Sequence, residues 1–467
     1  MKRLHCDNAK LRTVILVAAA FAAGAAVSPA VDLITRHLGV STAFAQSGRT
    51  ETYRLLRLFG DAFEVVRSEY VDPVPDKELI ENALDGMLTG LDPHSAYLPA
   101  TEFRELEAEH RGRFAGIGLE VAFDNGVVRV VSPIEGTPAF RAGIKAGDII
   151  IALNGDVVRW HSAARILDQM RGAPNTKVTL TIQRAGVDHA LVFSLRRKII
   201  HIKLVRQRLE PLNIGYVRIT EFTDPLNTTL KRAVQSLKRQ ANGRMNALVL
   251  DLRDNPGGLL DQAVAVARDF IRHGEIVSTR SRYSDDSEWV AADGKDVLGG
   301  VPMVVLINGG SASASEVLAG ALQDHRRAVL VGTPTFGKGS VQNTIPFPGG
   351  GGILLTTARY YTPSGRSIQG RGIMPDVLVA EKSADASHFE PEHEAELQHV
   401  ISNTGGTPDS DDPPRSDLPP IARAIPGKPP GGFPEFDPAR PSTDFQLQQA
   451  LVVARGMIAA RKAGTAN

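Results

Sequence analysis

The sequence predicts an α/β fold of layered strands and helices, with an inserted unit of mainly β structure and helices at the N-terminus. Three observations support this prediction. A strand, a Gly-rich turn and a helix follow one another twice, within 247–270 and within 303–322. Short strands separated by turn signals fill 112–198. Apolar residues recur at helical spacing between 51 and 91.

Composition limits the classes of function. The chain has 467 residues, 42% of them hydrophobic and 22% charged, as in soluble globular proteins with several domains. Lys+Arg 53 against Asp+Glu 52 gives a net charge of +1, so nothing in the charge balance indicates a nucleic-acid partner.

The first 45 residues have the pattern of an export signal. Basic residues at four of the first twelve positions precede an uncharged apolar run over 13–31, and Ala43-Phe-Ala45 resembles a cleavage site. Residues 1–45 are therefore predicted to be a signal peptide or a signal anchor, with cleavage favoured. Either outcome places the folded part outside the cytoplasm, in the periplasm or cell envelope, with membrane attachment only through 13–31.

Cys6 is the only cysteine of the chain and precedes the apolar run. A mature form cleaved after Ala45 has no thiol. A cysteine protease and a Cys-based metal site are therefore excluded.

Residues 46–111 are predicted to be a helical region. The spacing predicts one helix over 51–71, ended by Pro73 and Pro75, and a second over 79–91. Helices ahead of a folded unit serve most often in packing or dimerisation, so a homo-oligomer stays open. His94 lies between Pro93 and Ser95, and we interpret it as a turn residue rather than a catalytic base.

Residues 112–198 read as a small β domain. Strands are predicted over 120–124 and 127–132 around an Asn-Gly turn, a helix over 162–170, and strands over 178–183 and 190–194. With Ala-Gly-Ile-Lys-Ala-Gly-Asp at 142–148, this region resembles a PDZ domain. The resemblance implies that Gly116, Ile117, Gly118 and Leu119 form the loop that binds a peptide's terminal carboxylate.

Residues 199–380 are predicted to be the larger α/β domain. After a strand over 214–219 and a helix over 226–240, the apolar strand 247–253 leads into Asp-Asn-Pro-Gly-Gly and a helix over 259–270. Sites in such folds lie at the carboxyl ends of strands, so this turn should face the crevice. Asp251 and Arg253 could act as a catalytic acid and clamp, but we interpret them as a structural ion pair or turn anchor.

The stretch 303–342 carries the candidate chemistry. An apolar strand over 303–307 ends in a Gly/Ser turn, and a helix begins just after Ser313. A helix N-terminus favours an oxyanion, but a serine hydroxyl needs a base. Lys338, flanked by Gly337 and Gly339, could be buried beside the serine, and desolvation would leave its amine neutral.

Gly-Ser-Ala-Ser-Ala-Ser-Glu at 310–316 and Gly-Lys-Gly-Ser-Val-Gln at 337–342 resemble the carboxy-terminal processing (tail-specific) proteases, Ser–Lys dyad serine peptidases with an embedded PDZ domain. Leu-Asp-Pro-His-Ser-Ala-Tyr at 91–97 and the segments around 360–368 and 372–376 match as well. The resemblance implies a crotonase/ClpP-like core. It assigns Ser313 as nucleophile, Lys338 as general base and Gln342 as the residue that orients the lysine. It also places one oxyanion amide at Gly257 or Gly258, without choosing between them, and the other at Ala314.

The C-terminal part has a different composition. Eleven of the 29 prolines lie between 408 and 441, so 381–442 is predicted to be an extended or disordered linker. Helical spacing of apolar residues follows, and 443–467 is predicted to be a helix that docks on the core or on a partner subunit.

These readings predict an exported serine endopeptidase that recognises polypeptide substrates by their C-terminus and needs no metal or cofactor. The alternative is a catalytically gated or inactive PDZ scaffold or adaptor in the cell envelope. Neither reading names the substrate, and a regulatory or adaptor protein stays open as a partner.

Overall fold

The computed structural model describes residues 42–464, apart from 111–112, 125–126, 135, 146, 159–165, 167–168, 202, 349, 382–392, 404–414, 416, 435 and 437–439. The chain forms two compact units, one ending at Ala83 and one beginning at Leu84. The predicted signal segment up to residue 41 lies outside the described residues. Among the helices described here, none is both long enough and apolar enough to span a bilayer.

The N-terminal helices are α1 (Thr42–Glu69) and α2 (Asp76–Thr89), followed by strand β1 (Ala96–Leu98) and helix α3 (Ala100–His110). The prolines after α1 end it, as the sequence predicts. Helix α1 leaves large apolar side chains exposed, among them Tyr53, Leu56 and Leu58.

A six-stranded sheet forms the centre of the second unit, in the order β10-β11-β12-β15-β16-β19. Its strands are β10 (Val205–Glu210), β11 (Ile214–Ile219), β12 (Ala247–Asp251), β15 (Met303–Ile307), β16 (Val329–Gly332) and β19 (Val377–Leu378). All neighbours are parallel except β10 and β11. Strands β12, β15 and β16 are buried along their whole length, which explains their nearly continuous apolar sequences.

Helices cover both faces of this sheet. One face packs against α5 (Leu226–Gln240), α6 (Leu260–Arg268) and α7 (Ala314–Asp324), and the other packs against the C-terminal helix α8 (Phe445–Gly464). The alternation of strand side chains decides the face: Leu248 and Leu250 join the first cluster, while Val249 joins the second. The predicted α/β layers are confirmed.

A second sheet flanks the core in the order β1-β18-β13-β14, with β17 also paired to β18. Its later strands are β13 (Glu275–Ser281), β14 (Glu288–Ala291), β17 (Ser340–Pro346) and β18 (Gly352–Tyr361). Strand β1, which falls in the predicted helical region, pairs with β18. The chain therefore contributes to this sheet before it enters the inserted β unit, and the unit interrupts the core.

The inserted unit contains a sheet in the order β3-β4-β5-β7-β8, with β6 paired to β5, and a separate β2–β9 ladder. The strands are β2 (Arg113–Gly116), β3 (Leu119–Asp124), β4 (Val127–Pro133), β5 (Ile149–Leu153), β6 (Asp156–Val157), β7 (Lys177–Gln183), β8 (Leu191–Arg196) and β9 (Lys198–His201), with a short helix α4 (Pro138–Arg141). The predicted strands are present with small shifts of their ends. Most of the predicted helix 162–170 lies outside the described residues.

Parts of the predicted linker 381–442 pack on the core. The 3₁₀ turn Glu394–Glu396 has a fully buried Glu394, and a second 3₁₀ turn, Pro420–Ala424, buries Ala422 in the cluster beneath α8. Proline content indicated an extended chain, but the isolated apolar and acidic side chains in it find partners on the core. Helix α8 docks on the core of its own chain, which was one of the two alternatives.

Candidate active site

Ser313 lies at the turn between β15 and α7, where it caps the helix. Its backbone is strained, with φ 53° and ψ −113°, a region that residues with a side chain rarely adopt. Strain of this kind persists only where the surroundings enforce it. The turn leaves the side chain half-buried at the carboxyl end of the parallel sheet.

Glu316 joins the serine turn to the lysine loop. Its buried carboxylate accepts the Ser313 amide at 2.8 Å and the Lys338 amide at 2.9 Å on the same oxygen. Its other oxygen accepts the Gly337 amide at 2.7 Å and the Thr335 hydroxyl at 2.5 Å. Burial raises the pKa of Glu316 to about 7, against these four donors, which favour the ionised form. One carboxylate therefore holds the two backbones side by side.

Lys338 lies in the loop before β17, and its backbone amide shares one Glu316 oxygen with the Ser313 amide. Burial lowers the pKa of its amine below the ordinary value, although the carboxylates of Glu394, Asp92 and Glu316 favour the charged form. A Cβ on Gly339 would lie 2.2 Å from the Gln369 amide, so only glycine fits at that close approach. Within the described residues, the Ser313 hydroxyl and the Lys338 amine do not form a hydrogen bond.

The glycine turn after β12 contacts the serine turn. A Cβ on Gly257 would lie 2.9 Å from both Ser313 Cβ and the Ala314 nitrogen. The Gly257 amide already donates to Asn255 Oδ1 at 3.0 Å. Gly258 and Phe222 form an isolated β-bridge, in which the Phe222 amide donates to the Gly257 carbonyl and the Leu259 amide donates to the Phe222 carbonyl. The Gly257 amide is therefore bonded to Asn255, whereas the Gly258 amide forms neither of the two hydrogen bonds of this bridge.

Gln342 lies in a polar network on β17, the strand that follows the lysine loop. Its Nε2 donates to Ser340 Oγ at 2.9 Å and to Thr356 Oγ1 at 3.1 Å. Thr356 in turn donates to Asp92 at 3.0 Å, and Asp92 also accepts the Ser95 hydroxyl at 2.7 Å. The conspicuous 91–97 segment is thereby connected to Gln342. The hydrogen bonds of the Gln342 amide nitrogen go to these hydroxyls and not to Lys338.

His94 is half-buried and bound to the C-terminal segment. Its Nε2 lies 2.9 and 3.0 Å from the two carboxylate oxygens of Glu394. Glu394 also accepts Gln369 Nε2 at 2.8 Å, and its amide donates to the Phe336 carbonyl. Burial alone would raise the pKa of Glu394, but the hydrogen bonds from His94 and Gln369 and the charge of Lys338 lower it. Glu394 is thus held by His94, by Gln369 and by the Phe336 carbonyl, which lies two positions before Lys338.

Asp251 and Arg253 form the buried structural ion pair that we interpreted from the sequence, at 2.7 Å. Arg253 also binds Asp444 at 2.7 Å and Gln446 at 3.1 Å, just where α8 begins. Tyr216 donates its hydroxyl to Asp251 at 2.7 Å. The cluster anchors the C-terminal helix to the sheet.

The predicted carboxylate loop of the β unit lies between β2 and β3. The Gly118 φ of +77° requires glycine, and a Cβ there would clash with Thr137 at 2.3 Å. Its carbonyl accepts the Ile134 amide and the Thr137 hydroxyl, while the Ile117 carbonyl accepts the Ala139 amide. Ile117 is buried in the unit's core, and Leu119 packs against that core from β3.

Three supporting residues were not found from the sequence: Glu316, Glu394 and Thr356. Glu316 stands three positions after Ser313, the spacing of a capping box, and this signal could have identified it. Glu394 carries no such signal, because its partner His94 is 300 positions away.

Comparison with known proteins agrees with this architecture. Residues 213–379 match the model of peptidase family S41, 129–184 match a PDZ domain, and 31–101 match the N-terminal domain of the activating protease CtpB. A carboxy-terminal-processing protease of Bartonella bacilliformis is 43% identical over 414 residues, which is 87% of this chain and 90% of the relative.

A second relative, with lower identity, gives the same family. A probable CtpA-like serine protease of Staphylococcus aureus is 33% identical over 380 residues, covering 81% of this chain and 74% of its own length. Among solved structures, the photosystem II D1 C-terminal processing protease is similar, with a TM-score of 0.47 and 32% identity over 69% of this chain and 92% of that chain. The chain belongs to peptidase family S41, and it is a carboxy-terminal processing serine protease with a PDZ domain.

Proposed function

We propose that this protein is an exported endopeptidase in which Ser313 and Lys338 form the catalytic dyad. The observation that carries the proposal is the shared carboxylate of Glu316, which accepts the backbone amides of both residues. A second support is the lowered pKa of Lys338, because a lysine must be neutral to act as a base. Export is supported by the N-terminal signal pattern.

The reaction then follows from these groups. Neutral Lys338 takes the proton of the Ser313 hydroxyl as its oxygen attacks the scissile carbonyl. The amides of Ala314 and Gly258 stabilise the oxyanion, and each such donor contributes about 10²–10³-fold in rate. Lys338 then gives its proton to the leaving amine. Water, activated by the same lysine, hydrolyses the ester on Ser313 and releases the new C-terminus.

Gln342 has a positioning role in this proposal. It supports the dyad through Ser340 and Thr356, which its amide contacts. Because β17 begins at Ser340, two positions after Lys338, this contact fixes the start of the strand that follows the lysine loop. The proposed action on Lys338 is therefore indirect.

Substrate recognition is assigned to the PDZ domain. Backbone amides of Gly116, Ile117, Gly118 and Leu119 would hold the terminal carboxylate, and the peptide would add as a strand to β3. Capture of the tail presents the preceding segment to the dyad, and it offers a way for substrate to shift a closed population toward an open one.

The test compares the wild-type protein with Ser313→Ala and Lys338→Ala on an unstructured protein with an apolar C-terminus. Mass spectrometry locates the cuts, and a second substrate has an amidated tail. We expect cleavage near the C-terminus by wild type, none by either variant, and weaker cleavage of the amidated substrate.

Cleavage that persists in Ser313→Ala would move the nucleophile elsewhere and refute the dyad. Absence of cleavage by wild type, with tight binding of the tail, would support the PDZ scaffold instead. Equal cleavage of free and amidated tails would refute recognition of the terminal carboxylate while leaving the dyad intact.

A further inference from the structure

A cavity with three arginines lies beside the catalytic network. Its volume is about 430 Å³, and its walls include Arg280, Arg282 and Arg359 together with Asp92 and Thr356. We refer to this space as the arginine cavity. Thr356 is the residue that accepts the Gln342 amide, so the cavity adjoins the support of the dyad.

Two of these arginines stand opposite each other, and none of the three forms a salt bridge with a described residue. Arg280 on β13 stands directly opposite Arg359 on β18, and like charges at opposite positions of an antiparallel pair destabilise a sheet. In the part of the chain that the structure describes, no carboxylate forms a salt bridge with either of them or with Arg282. Arg359 Nε is buried and has no hydrogen-bond partner. An unused buried donor of a charged group is costly.

Another pair of opposed arginines in this protein is treated differently. Arg206 and Arg218 face each other across β10 and β11, but Arg218 binds Asp254 at 3.1 Å. In this second pair, a carboxylate therefore offsets the charge of one arginine. The arginine cavity has no equivalent.

Asp92, the one acidic residue among the described residues of the cavity wall, forms its hydrogen bonds with other groups. Asp92 accepts the His94 and Ser95 amides at 2.9 Å each, the Ser95 hydroxyl at 2.7 Å and the Thr356 hydroxyl at 3.0 Å. Its two oxygens are thus occupied by neutral donors of the catalytic network. The cavity retains the positive charge of its arginines.

The position relates the cavity to a bound polypeptide. Arg359 is the register partner of Ser340 on β17, two positions after Lys338. Arg280 is fixed by its guanidinium, which lies 3.9 Å above the centre of the Tyr361 ring. A peptide bound at the dyad would therefore lie near this cationic cavity, whose Arg359 is on β18, the strand paired with β17, and whose Arg280 is on β13, the next strand of the sheet.

We propose that the arginine cavity is a subsite for a carboxylate of the polypeptide substrate. The inference rests on the proposed function and adds an electrostatic preference to it. A guanidinium pairs with a carboxylate through two parallel hydrogen bonds, and this would occupy the unused Nε–H of Arg359. The carboxylate comes either from an Asp or Glu side chain near the scissile bond or from the peptide's own terminus.

The test uses the full protein and peptides that span a mapped cut site. Each position near the cut carries Glu or Gln in turn, and a parallel set has an amidated C-terminus. We expect one position at which Glu raises kcat/KM about tenfold or more over Gln. In Arg359→Gln and Arg280→Gln this ratio should fall toward one, while Arg206→Gln should keep it. A preference for the free terminus that falls in Arg359→Gln, whose PDZ loop is unchanged, would assign the carboxylate to the tail.

Binding provides a readout without catalysis. In Ser313→Ala, calorimetry should show tighter binding of the Glu peptide than of the Gln peptide, and adding Arg359→Gln should remove the difference. If Arg359→Gln does not fold, Arg282→Gln, outside the strand pairing, takes its place. Glu/Gln ratios near one at every position, with a preference for the free terminus that Arg359→Gln leaves unchanged, overturn the inference. In that case cleavage by wild type and its loss in Ser313→Ala would still support the dyad.

Discussion

At the scale of single residues, the site depends on Glu316. This carboxylate has four donors from the serine turn and the lysine loop, and no water-exposed surface. Four hydrogen bonds converge on this one side chain, so together they define the local geometry. The strained backbone of Ser313 is held by the first of these bonds. In the proposed mechanism Glu316 positions Ser313 and Lys338 and does not itself react.

We expect Glu316→Gln to lower kcat/KM by about 10²-fold. The glutamine amide has a single acceptor oxygen, so its NH₂ group would face some of the four donors that now bind the carboxylate. Cleavage of an unstructured substrate measures the effect, with Glu288→Gln on the surface strand β14 as the matched control. Activity equal to wild type would show that Glu316 does not position the dyad.

The pH dependence of stability gives a second test of Glu316. Its folded-state pKa is raised from 4.5 to about 7, so folding takes up a proton between these values. The stabilisation is complete below pH 4.5 and is lost as the pH rises through 7. Thermal unfolding of wild type should therefore show a decline over this window that Glu316→Gln lacks. Parallel curves for the two proteins would contradict the assignment.

At the scale of elements, the 3₁₀ turn Glu394–Glu396 lies against the lysine loop. The Glu394 amide binds Phe336, and its carboxylate reaches Gly339 through Gln369, which accepts the Gly339 amide at 3.1 Å. His94 binds the same carboxylate from the segment after α2. The turn therefore brings a negative charge close to Lys338 and helps to fix the backbone on either side of it.

Removing that charge should shift the pH profile. A nearby carboxylate favours protonated Lys338, so Glu394→Gln lowers the pKa of the lysine further. Because the neutral amine is the active form in the proposed mechanism, the rising limb of kcat/KM against pH should move to lower pH. The control is Glu396→Gln, an exposed neighbour in the same turn. A limb that moves to higher pH or stays in place would contradict this account.

At the scale of the whole molecule, the C-terminal helix is part of the core. Leu447, Leu451 and Ala454 of α8 pack on the face of the sheet opposite to α7. Arg253 and Asp444 fix the start of the helix next to the strand that leads to Gly257 and Gly258. The C-terminal segment thus supports the fold from beyond the part that matches the peptidase family.

We expect Leu451→Ala to destabilise the protein by about 2–5 kcal/mol, as for other buried leucines. Arg455→Ala changes an exposed position of the same helix and should have little effect. Denaturant unfolding measures both. Equal stability of the two variants would mean that α8 does not contribute to the core in solution.

Local patterns predicted much of the fold. The strands 214–219 and 303–307 and the helix 226–240 agree with the structure because their apolar residues follow strand or helix periods. The second sheet was missed, since its strands are half-buried and pair over long distances, as Leu98 does with Gly352. Glycine motifs in the sequence were enough to propose Ser313 and Lys338 as the dyad. Glu394 has no such signal, because only folding brings its turn to the lysine.

The most direct test of the dyad is the rate at which a small activated ester acylates Ser313, followed by intact mass and peptide mapping across pH. We predict a single label on Ser313, with a rate that rises through one ionisation below pH 10.5, the ordinary value for lysine. The label should be absent in Lys338→Met and in Lys338→Arg, which stays protonated. Equal labelling of Ser313 in Lys338→Met would contradict the role of Lys338 as the base.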